Sequence, residues 1–241
     1  MDVGRFALAT AMVGAITASA LAGTVDVEFT GTGLGRAVRT HFAERALNVF
    51  AGQLRHTFSN GTGQGSALNG DHLTYCTELV QYVVSHPSPY ETALLEDVPS
   101  TSPMGPDRAQ AVRDLYAYAD GSQFAAVGSS ENRDFAAAFQ IAVWEAAYDY
   151  DGTAGSLDVA GGDLWVTGTG GGPLSAGISG YLDDLFGAVG TGAEVPHLIA
   201  VTSEQYQDQL VMIPLPAPLI IGAVGLAAVI WRQRKLARSS A

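Results

Sequence analysis

The stretch "FQIAVWEAAYD", residues 139–149, predicts a helix in the middle of this 241-residue chain. Gln140, Trp144 and Tyr148 are spaced four residues apart, so a helix places all three side chains on one face. The alanines and aromatic residues around them indicate that this face is buried. A buried glutamine amide is costly unless it finds hydrogen-bond partners, and for an isolated glutamine the backbone is the simplest partner.

The segments on either side of this helix predict an α+β domain, because strand-like alternation comes first and helical spacing follows. We expect short antiparallel strands in the N-terminal half, packed with a small helical subdomain and flanked by a signal peptide and a C-terminal transmembrane helix. The predicted strands are Val25–Phe29, Ala46–Phe50, Leu54–Phe58, Leu73–Cys76 (or the entry to a helix) and a closing strand, His197–Thr202. The predicted helices start at Pro106 and end before Gly121, run over Asp134–Tyr148, and follow around Leu174–Phe186.

Glycine and proline are expected to interrupt these elements. Gly31, Gly33 and Gly35 form the "GTGLG" stretch, which predicts a turn after the first strand. Five prolines between Ser85 and Pro106 predict a long loop.

The composition narrows the range of partners. Between Gly23 and Trp231 there are seven arginines, no lysine and 23 acidic residues, a net charge of −16. Such a charge argues against nucleic acid or anionic lipid as a partner, and an anionic polysaccharide could be bound only through bridging cations. We expect one exported globular domain over residues 23–209.

The N-terminus has the pattern of a secretory signal peptide over residues 1–22. Arg5 supplies a weak positive region, Phe6–Thr17 is apolar, and Ala20-Leu21-Ala22 offers a cleavage site before Gly23. Asp2 weakens this pattern, and a buried N-terminal helix is the alternative.

The C-terminus has the pattern of a membrane tail over residues 210–241. No charged residue occurs from Leu210 to Trp231, and the prolines confine a transmembrane helix to about residues 217–231. That length is short for a spanning helix. A basic cytoplasmic end, residues 232–241, follows and should stop transfer through the inner membrane. Its basic residues are Arg232, Arg234, Lys235 and Arg238.

The tail resembles the VPLPA variant of the PEP-CTERM sorting signals. Pro214, Leu215, Pro216 and Ala217 match that motif, and Ile213 stands where valine is usual. The resemblance implies export by a Gram-negative bacterium and processing by an exosortase-type membrane peptidase. An ordinary single-pass anchor is the alternative.

The chain has one cysteine, Cys76, which cannot form an intramolecular disulfide. An odd cysteine in an exported protein suggests intermolecular pairing or a reactive thiol. A buried, inert thiol is the third interpretation.

"YC", Tyr75-Cys76, followed by "FQIAVW", residues 139–144, resembles the thioester domains of bacterial surface proteins. In that family a cysteine and a glutamine become linked through their side chains, and the resemblance assigns these roles to Cys76 and Gln140. The family has an apolar residue and an acid after the cysteine, so Thr77 departs from the pattern while Glu78 keeps it.

The resemblance implies a site without cofactor or metal in which supporting residues surround the reacting pair. Tyr75, Phe139 and Trp144 would exclude water, and Glu78 or Glu145 would move the proton that lets ammonia leave. The implied function is not enzymatic: an adhesin-like protein attaches covalently to a nucleophile on a target surface. The alternative is an exosortase-processed structural component of the extracellular matrix or envelope without thioester chemistry.

Other motifs are weaker. Asp149, Asp151 and Gly152 hint at a calcium loop but fit a helix-ending turn better, since the other EF-hand ligands are missing. The five histidines lack the paired spacing of a zinc site. Ser175 and Ser179 lack a nucleophile elbow, so a hydrolase is a distant third function.

Overall fold

A computed structural model of the protein describes residues 23–119 and 130–213. The prediction of an α+β fold with antiparallel strands is confirmed, but the strands form one large sheet that includes the C-terminal β6 and β7, and the first two strands are long. The strands are β1 Thr24–Phe42, β2 Arg45–Ser59, β3 Gly70–Cys76, β4 Ser88–Ala93, β5 Leu164–Thr167, β6 Leu198–Thr202 and β7 Gln209–Met212. The helices are α1 Gly105–Ala119, α2 Ser130–Tyr148 and α3 Ala176–Ala188, with short 3-10 turns at Gly63–Leu68, Leu95–Asp97 and Ala154–Ser156.

Six of these strands form a closed ring. The sheet order is β2-β3-β7-β6-β4-β1-β5, and β1 also pairs with β2, so the hydrogen-bonded pairings return to their starting point. All of the pairings are antiparallel. Strand β5 lies outside the ring and pairs only with the end of β1, at Arg39–Phe42.

The prediction that glycines end the first strand was wrong. Strand β1 continues through Gly31, Gly33 and Gly35, and its pairing with β2 changes register at two places in this segment. Gly35 lies opposite Gly52, and a Cβ on either residue would collide with the facing backbone. The glycines therefore allow two long strands to bend and approach closely, and the predicted strands on either side of Gly52 are one continuous strand.

The prediction of a long loop from Ser85 to Pro106 was also wrong in part. Strand β4 lies within it and pairs with both β1 and β6. Pro89 is the second residue of β4, close to the start of the strand, where the missing N–H of a proline is tolerated.

Two hydrophobic cores result from this architecture. The smaller core lies against one face of the ring, because its strand members alternate along the ring strands, and Leu68 and Val84 join it from the segments between strands. Its members are Val25, Val27, Phe58, Leu68, Val84, Tyr90, Ile199, Val201 and Val211. The larger core lies between the outside of the ring and the helices, with α2 at its centre. Residues 135–148 of α2 are all buried, as expected for a helix that is apolar on nearly every side.

Strand β7 carries the sheet past Gln209, the predicted end of the globular domain. Leu210 and Val211 are buried in the two cores instead of beginning an apolar tail. Within residues 23–119 and 130–213, no helix is long and apolar enough to cross a membrane. The predicted signal peptide, the helix stop at Gly121 and the sorting tail from Pro214 onward lie outside the described residues.

Candidate functional site

The structure brings Cys76 and Gln140 into direct contact. Cys76 is the last residue of β3, and its pairing with Gln209 of β7 fixes the end of that strand under α2. Gln140 lies on the face of α2 that covers this strand end. The two residues are 3 % and 0 % exposed, so the contact is shielded from solvent.

The backbone of Cys76 holds both ends of the Gln140 amide. The Cys76 N–H donates to Gln140 Oε1 at 3.1 Å, and Gln140 Nε2 donates to the Cys76 carbonyl oxygen at 2.8 Å. Cys76 Sγ lies 3.6 Å from the same Oε1. The sulfur is therefore positioned beside a carboxamide whose orientation is fixed, with a backbone donor already aimed at its oxygen.

Burial raises the pKa of the Cys76 thiol to about 12. The Trp144 indole N–H acts against this shift and lowers the pKa, whereas the nearby charge of Glu78 raises it further. The thiol consequently carries its proton at neutral pH. The thiol proton therefore lies beside the amide oxygen, Gln140 Oε1, and little thiolate is present at equilibrium.

Several polar groups around this contact are buried without a hydrogen-bond partner. They include the Trp144 Nε1 and Tyr148 Oη atoms on α2 and the Thr77 Oγ1 atom next to Cys76. The indole N–H influences the pKa of the Cys76 thiol, yet it makes no hydrogen bond of normal geometry. Unsatisfied buried groups are uncommon in folded proteins, and their concentration here distinguishes the site from ordinary core.

Aromatic side chains close one side of the site. The rings of Tyr75 and Phe139 are 4.7 Å apart, and both pack edge-on against Tyr116 of α1. Tyr75 and Phe139, the chain neighbours of Cys76 and Gln140, thus pack together in the core, and exclusion of water from the pair stays a prediction for them.

The two glutamates named as proton carriers have other contacts. Glu78 is buried, and one of its carboxylate oxygens accepts the backbone N–H groups of Leu79 and Val80 while the other accepts the Thr101 hydroxyl. Glu145 lies on a different face of α2, where it accepts the Asp158 N–H at 2.9 Å. Glu78 shapes the loop after Cys76, and Glu145 is not brought to the reacting pair.

A cleft of about 270 Å³ extends from the surface to Cys76, which lines it, whereas the buried Gln140 does not. It runs between the β1–β2 hairpin and the segment that follows β3. Cys76 and Trp144 line its inner part, and Gln81 and Gln207 contribute polar groups. A small molecule or a side chain could therefore approach the sulfur without opening the core.

The residues from Asp149 to Gly152 follow the end of α2 as a turn, which was the preferred interpretation of the sequence. The Asp151 carboxylate accepts the N–H and the hydroxyl of Thr153, and the Asp149 carboxylate accepts the N–H groups of Asp163 and Leu164. Within the part of the chain that the structure describes, no three metal-ligating side chains are grouped to hold an ion.

Sequence reasoning placed Tyr148 on the helix face of Gln140 without giving it a role, and it noted Thr77 only as a departure from the family pattern. Gln81 was not singled out at all. Gln81 reaches the cleft only because the segment after β3 folds back toward β2, and nothing in the local sequence predicts that course.

The chain matches no protein-family model, no curated protein and no solved structure in the comparisons made. Any proposal about function therefore rests on the residues and contacts of this chain and on the motif resemblances described above.

Proposed function

We propose that Cys76 and Gln140 form an internal thioester through which this protein attaches covalently to a nucleophile on a target surface. One observation carries the proposal: a buried thiol lies 3.6 Å from the oxygen of a glutamine amide that the backbone of the same cysteine holds at both ends. A glutamine that merely packs would also take backbone partners, so the weight of the proposal lies on the thiol held beside the fixed carboxamide.

The bond-forming step balances without any added reagent. Cys76 Sγ attacks Gln140 Cδ, and the carbon–sulfur bond forms as the carbon–nitrogen bond breaks. The thiol proton is transferred to the departing nitrogen, which leaves as ammonia. The products are a thioester between the two side chains and one molecule of ammonia.

The surroundings of the pair support this step. A glutamine amide reacts slowly in water, so most of the acceleration must come from holding the groups in contact. The Cys76 N–H points at the oxygen on which negative charge develops, in a site where low polarity strengthens the interaction. The unpartnered Trp144 N–H can stabilise the sulfur as its proton leaves.

The finished thioester is a stored acyl group. An amine that enters the cleft attacks Gln140 Cδ, its nitrogen becomes part of a new amide, and a proton passes to the Cys76 sulfur. The exported region contains no lysine, so few internal amines compete for the bond. Each thioester reacts only once and is not regenerated. The attachment is therefore adhesin-like and differs from enzymatic turnover.

The export pattern supplies the cellular context of the proposal. The predicted signal peptide and basic end place the acidic domain outside the inner membrane, and the PEP-CTERM-like tail makes the chain a candidate substrate for an exosortase-type peptidase. The protein would then act while anchored in the envelope or after release to the cell surface or matrix.

The intact mass of the purified exported domain tests the proposal. We expect a deficit of one ammonia, which disappears in Cys76→Ala and in Gln140→Ala and persists in the control Gln205→Ala, whose side chain is exposed. Mass is read on denatured protein, so a poorly folded variant does not obscure the wild-type result. A full mass together with a thiol that is freely alkylated after unfolding would instead support a matrix or envelope component without thioester chemistry.

A further inference from the structure

The cleft that leads to Cys76 has mainly apolar walls. Phe29, Val49, Phe50, Leu79 and Val83 line it and pack against the larger core. At the surface the cleft borders Leu47, which is 40 % exposed, and Tyr82, which is 74 % exposed. Several exposed apolar side chains grouped beside a cavity are typical of a binding surface, whereas a single exposed apolar side chain is common on any protein surface.

Glu78 and Gln207, two of the polar side chains that line the cleft, are already engaged, whereas Thr32 and Asn48 are exposed to solvent. Both carboxylate oxygens of Glu78 accept hydrogen bonds from the protein. The Gln207 side chain donates to the Glu78 carbonyl oxygen and accepts from Gln209. No lysine or arginine lines the cleft, so it offers no partner for an anionic group.

Among the residues that line the cleft, Gln81 is the one with a buried acceptor atom that has no partner. Its Nε2 donates to the Glu204 carbonyl oxygen at 2.9 Å, which fixes the amide orientation. The Oε1 atom then faces away from Glu204, is buried, and has no hydrogen-bond partner. An acceptor left free in a cleft that ends at the reactive pair is suited to a ligand that carries an N–H or O–H donor.

We propose that this cleft selects the acceptor of the thioester as a primary amine carried on an unbranched apolar chain. The inference rests on the proposed thioester and adds the chemical class of its target. The apolar chain lies along Phe29, Phe50 and Val83, and the amine nitrogen donates to Gln81 Oε1 as it approaches Gln140 Cδ. The amine enters uncharged, because an ammonium group has no lone pair for the attack.

Aminolysis of the folded wild-type protein by ethylamine and by n-butylamine tests the selection. The two amines have the same reactive group and differ by two methylene groups. Removing two methylenes from water favours n-butylamine by about tenfold in the second-order rate constant. The rates are followed by intact mass and divided by those of the same amines with a small alkyl thioester in solution, which removes any intrinsic difference in reactivity.

Variants locate the selection in the cleft. Leu47→Ser and Tyr82→Ser at its mouth should reduce the ratio of the two rates toward one. Leu73→Ser is the matched control, because Leu73 is 49 % exposed and lies outside the cleft, and it should leave the ratio unchanged. Gln81→Leu removes the free acceptor and should slow both amines several-fold while preserving their ratio.

The possible outcomes separate the two proposals. A wild-type protein with no ammonia deficit overturns the thioester and the selection together. A thioester that forms but reacts equally with ethylamine and n-butylamine, in wild type and in the mouth variants, overturns the selection alone. Equal slowing by Gln81→Leu and by Leu73→Ser would remove Gln81 from the binding site.

Discussion

Two groups of buried polar side chains lie close together in this molecule. In one group the polar atoms have hydrogen-bond partners, and in the other several do not. Among the ring strands, His56 Nδ1 and the Thr74 hydroxyl are 2.9 Å apart, and the same hydroxyl donates to Gln209 Oε1 at 2.9 Å. Because a hydroxyl has one proton, Thr74 must accept from His56. Two residues beyond Thr74 lies Cys76, and beside it the Trp144 Nε1 atom and the Thr77 hydroxyl are buried without partners of normal geometry.

This difference separates a structural network from a reactive site. Burial lowers the pKa of His56 to about 4, so the ring is neutral at pH 7 and can fill its place in a closed chain of hydrogen bonds. A buried polar group without a partner costs about 1–3 kcal/mol. Such a cost is tolerated where the free donors meet charge that develops only during a reaction.

Thr74→Val should test the structural side of the comparison. Valine has nearly the same shape but leaves His56 Nδ1 and Gln209 Oε1 without their partner. We expect the free energy of unfolding to fall by about 3 kcal/mol, measured by urea denaturation.

Thr57→Val is the matched control, because that strand hydroxyl donates to Asp71 at the surface and should cost far less. The ammonia deficit should survive in both variants if the ring network only supports the fold. Loss of the deficit in a folded Thr74→Val protein would contradict the division between the two groups.

Glu145 provides a test of whether every buried atom on α2 without a hydrogen-bond partner takes part in the proposed reaction. Its Oε2 atom is buried without a partner, yet the residue lies away from Cys76. Burial, aided by the charge of Asp149, raises the pKa of the carboxyl from 4.5 to about 8. Between these values the folded state holds a proton that the unfolded state has lost, so stability is greatest at low pH and falls as the pH rises toward 8.

Glu145→Gln should remove this dependence, because an amide oxygen can still accept the Asp158 N–H. We expect the variant to gain about 2 kcal/mol relative to wild type between pH 5 and pH 7, measured by denaturation at each pH. Burial also raises the pKa of Asp149 and of Asp208, so only the difference between variant and wild type isolates Glu145. Glu204→Gln, at an exposed position, should show no such gain.

The parts that the sequence predicted best are those determined by local spacing. The four-residue period placed Gln140 and Trp144 on one buried face of α2, and the motif resemblance paired that face with Cys76 across 64 positions of the chain. No local pattern specifies such a distance, so the contact between Cys76 and Gln140 could be anticipated only through the resemblance.

The parts that failed depend on contacts between distant segments. Gly35 and Gly52 looked like strand breakers. They lie opposite each other in β1 and β2, and the absence of a side chain at both positions lets the two strands approach closely. Pro89 suggested a loop, but β1 and β6 on either side supply enough pairing to hold β4 in the sheet. Leu210 looked like the start of an apolar tail because its partners, Tyr75 and Ala200, are remote in sequence.

Trp144→Phe addresses the reactive side of the comparison, with the smallest expected change in free energy. Phenylalanine keeps an aromatic ring over Cys76 but removes the indole N–H. If that donor stabilises the sulfur as its proton leaves, thioester formation after refolding should slow about tenfold, as expected for loss of a hydrogen bond to a charged group. The measurement is the time course of ammonia loss by intact mass.

A packing role and a donor role predict different results for this residue. In the Gln140→Met background the thiol stays free, and the rate of its alkylation against pH reports the pKa of Cys76. Removal of the donor should move that profile to higher pH, whereas a change in packing alone loosens the core and lets solvent lower the pKa. Trp165→Phe, at an exposed tryptophan stacked on His41, controls for the substitution itself and should leave both the profile and the refolding rate unchanged. A profile that moves to lower pH in Trp144→Phe would make the indole a packing element and leave the backbone N–H of Cys76 as the principal donor.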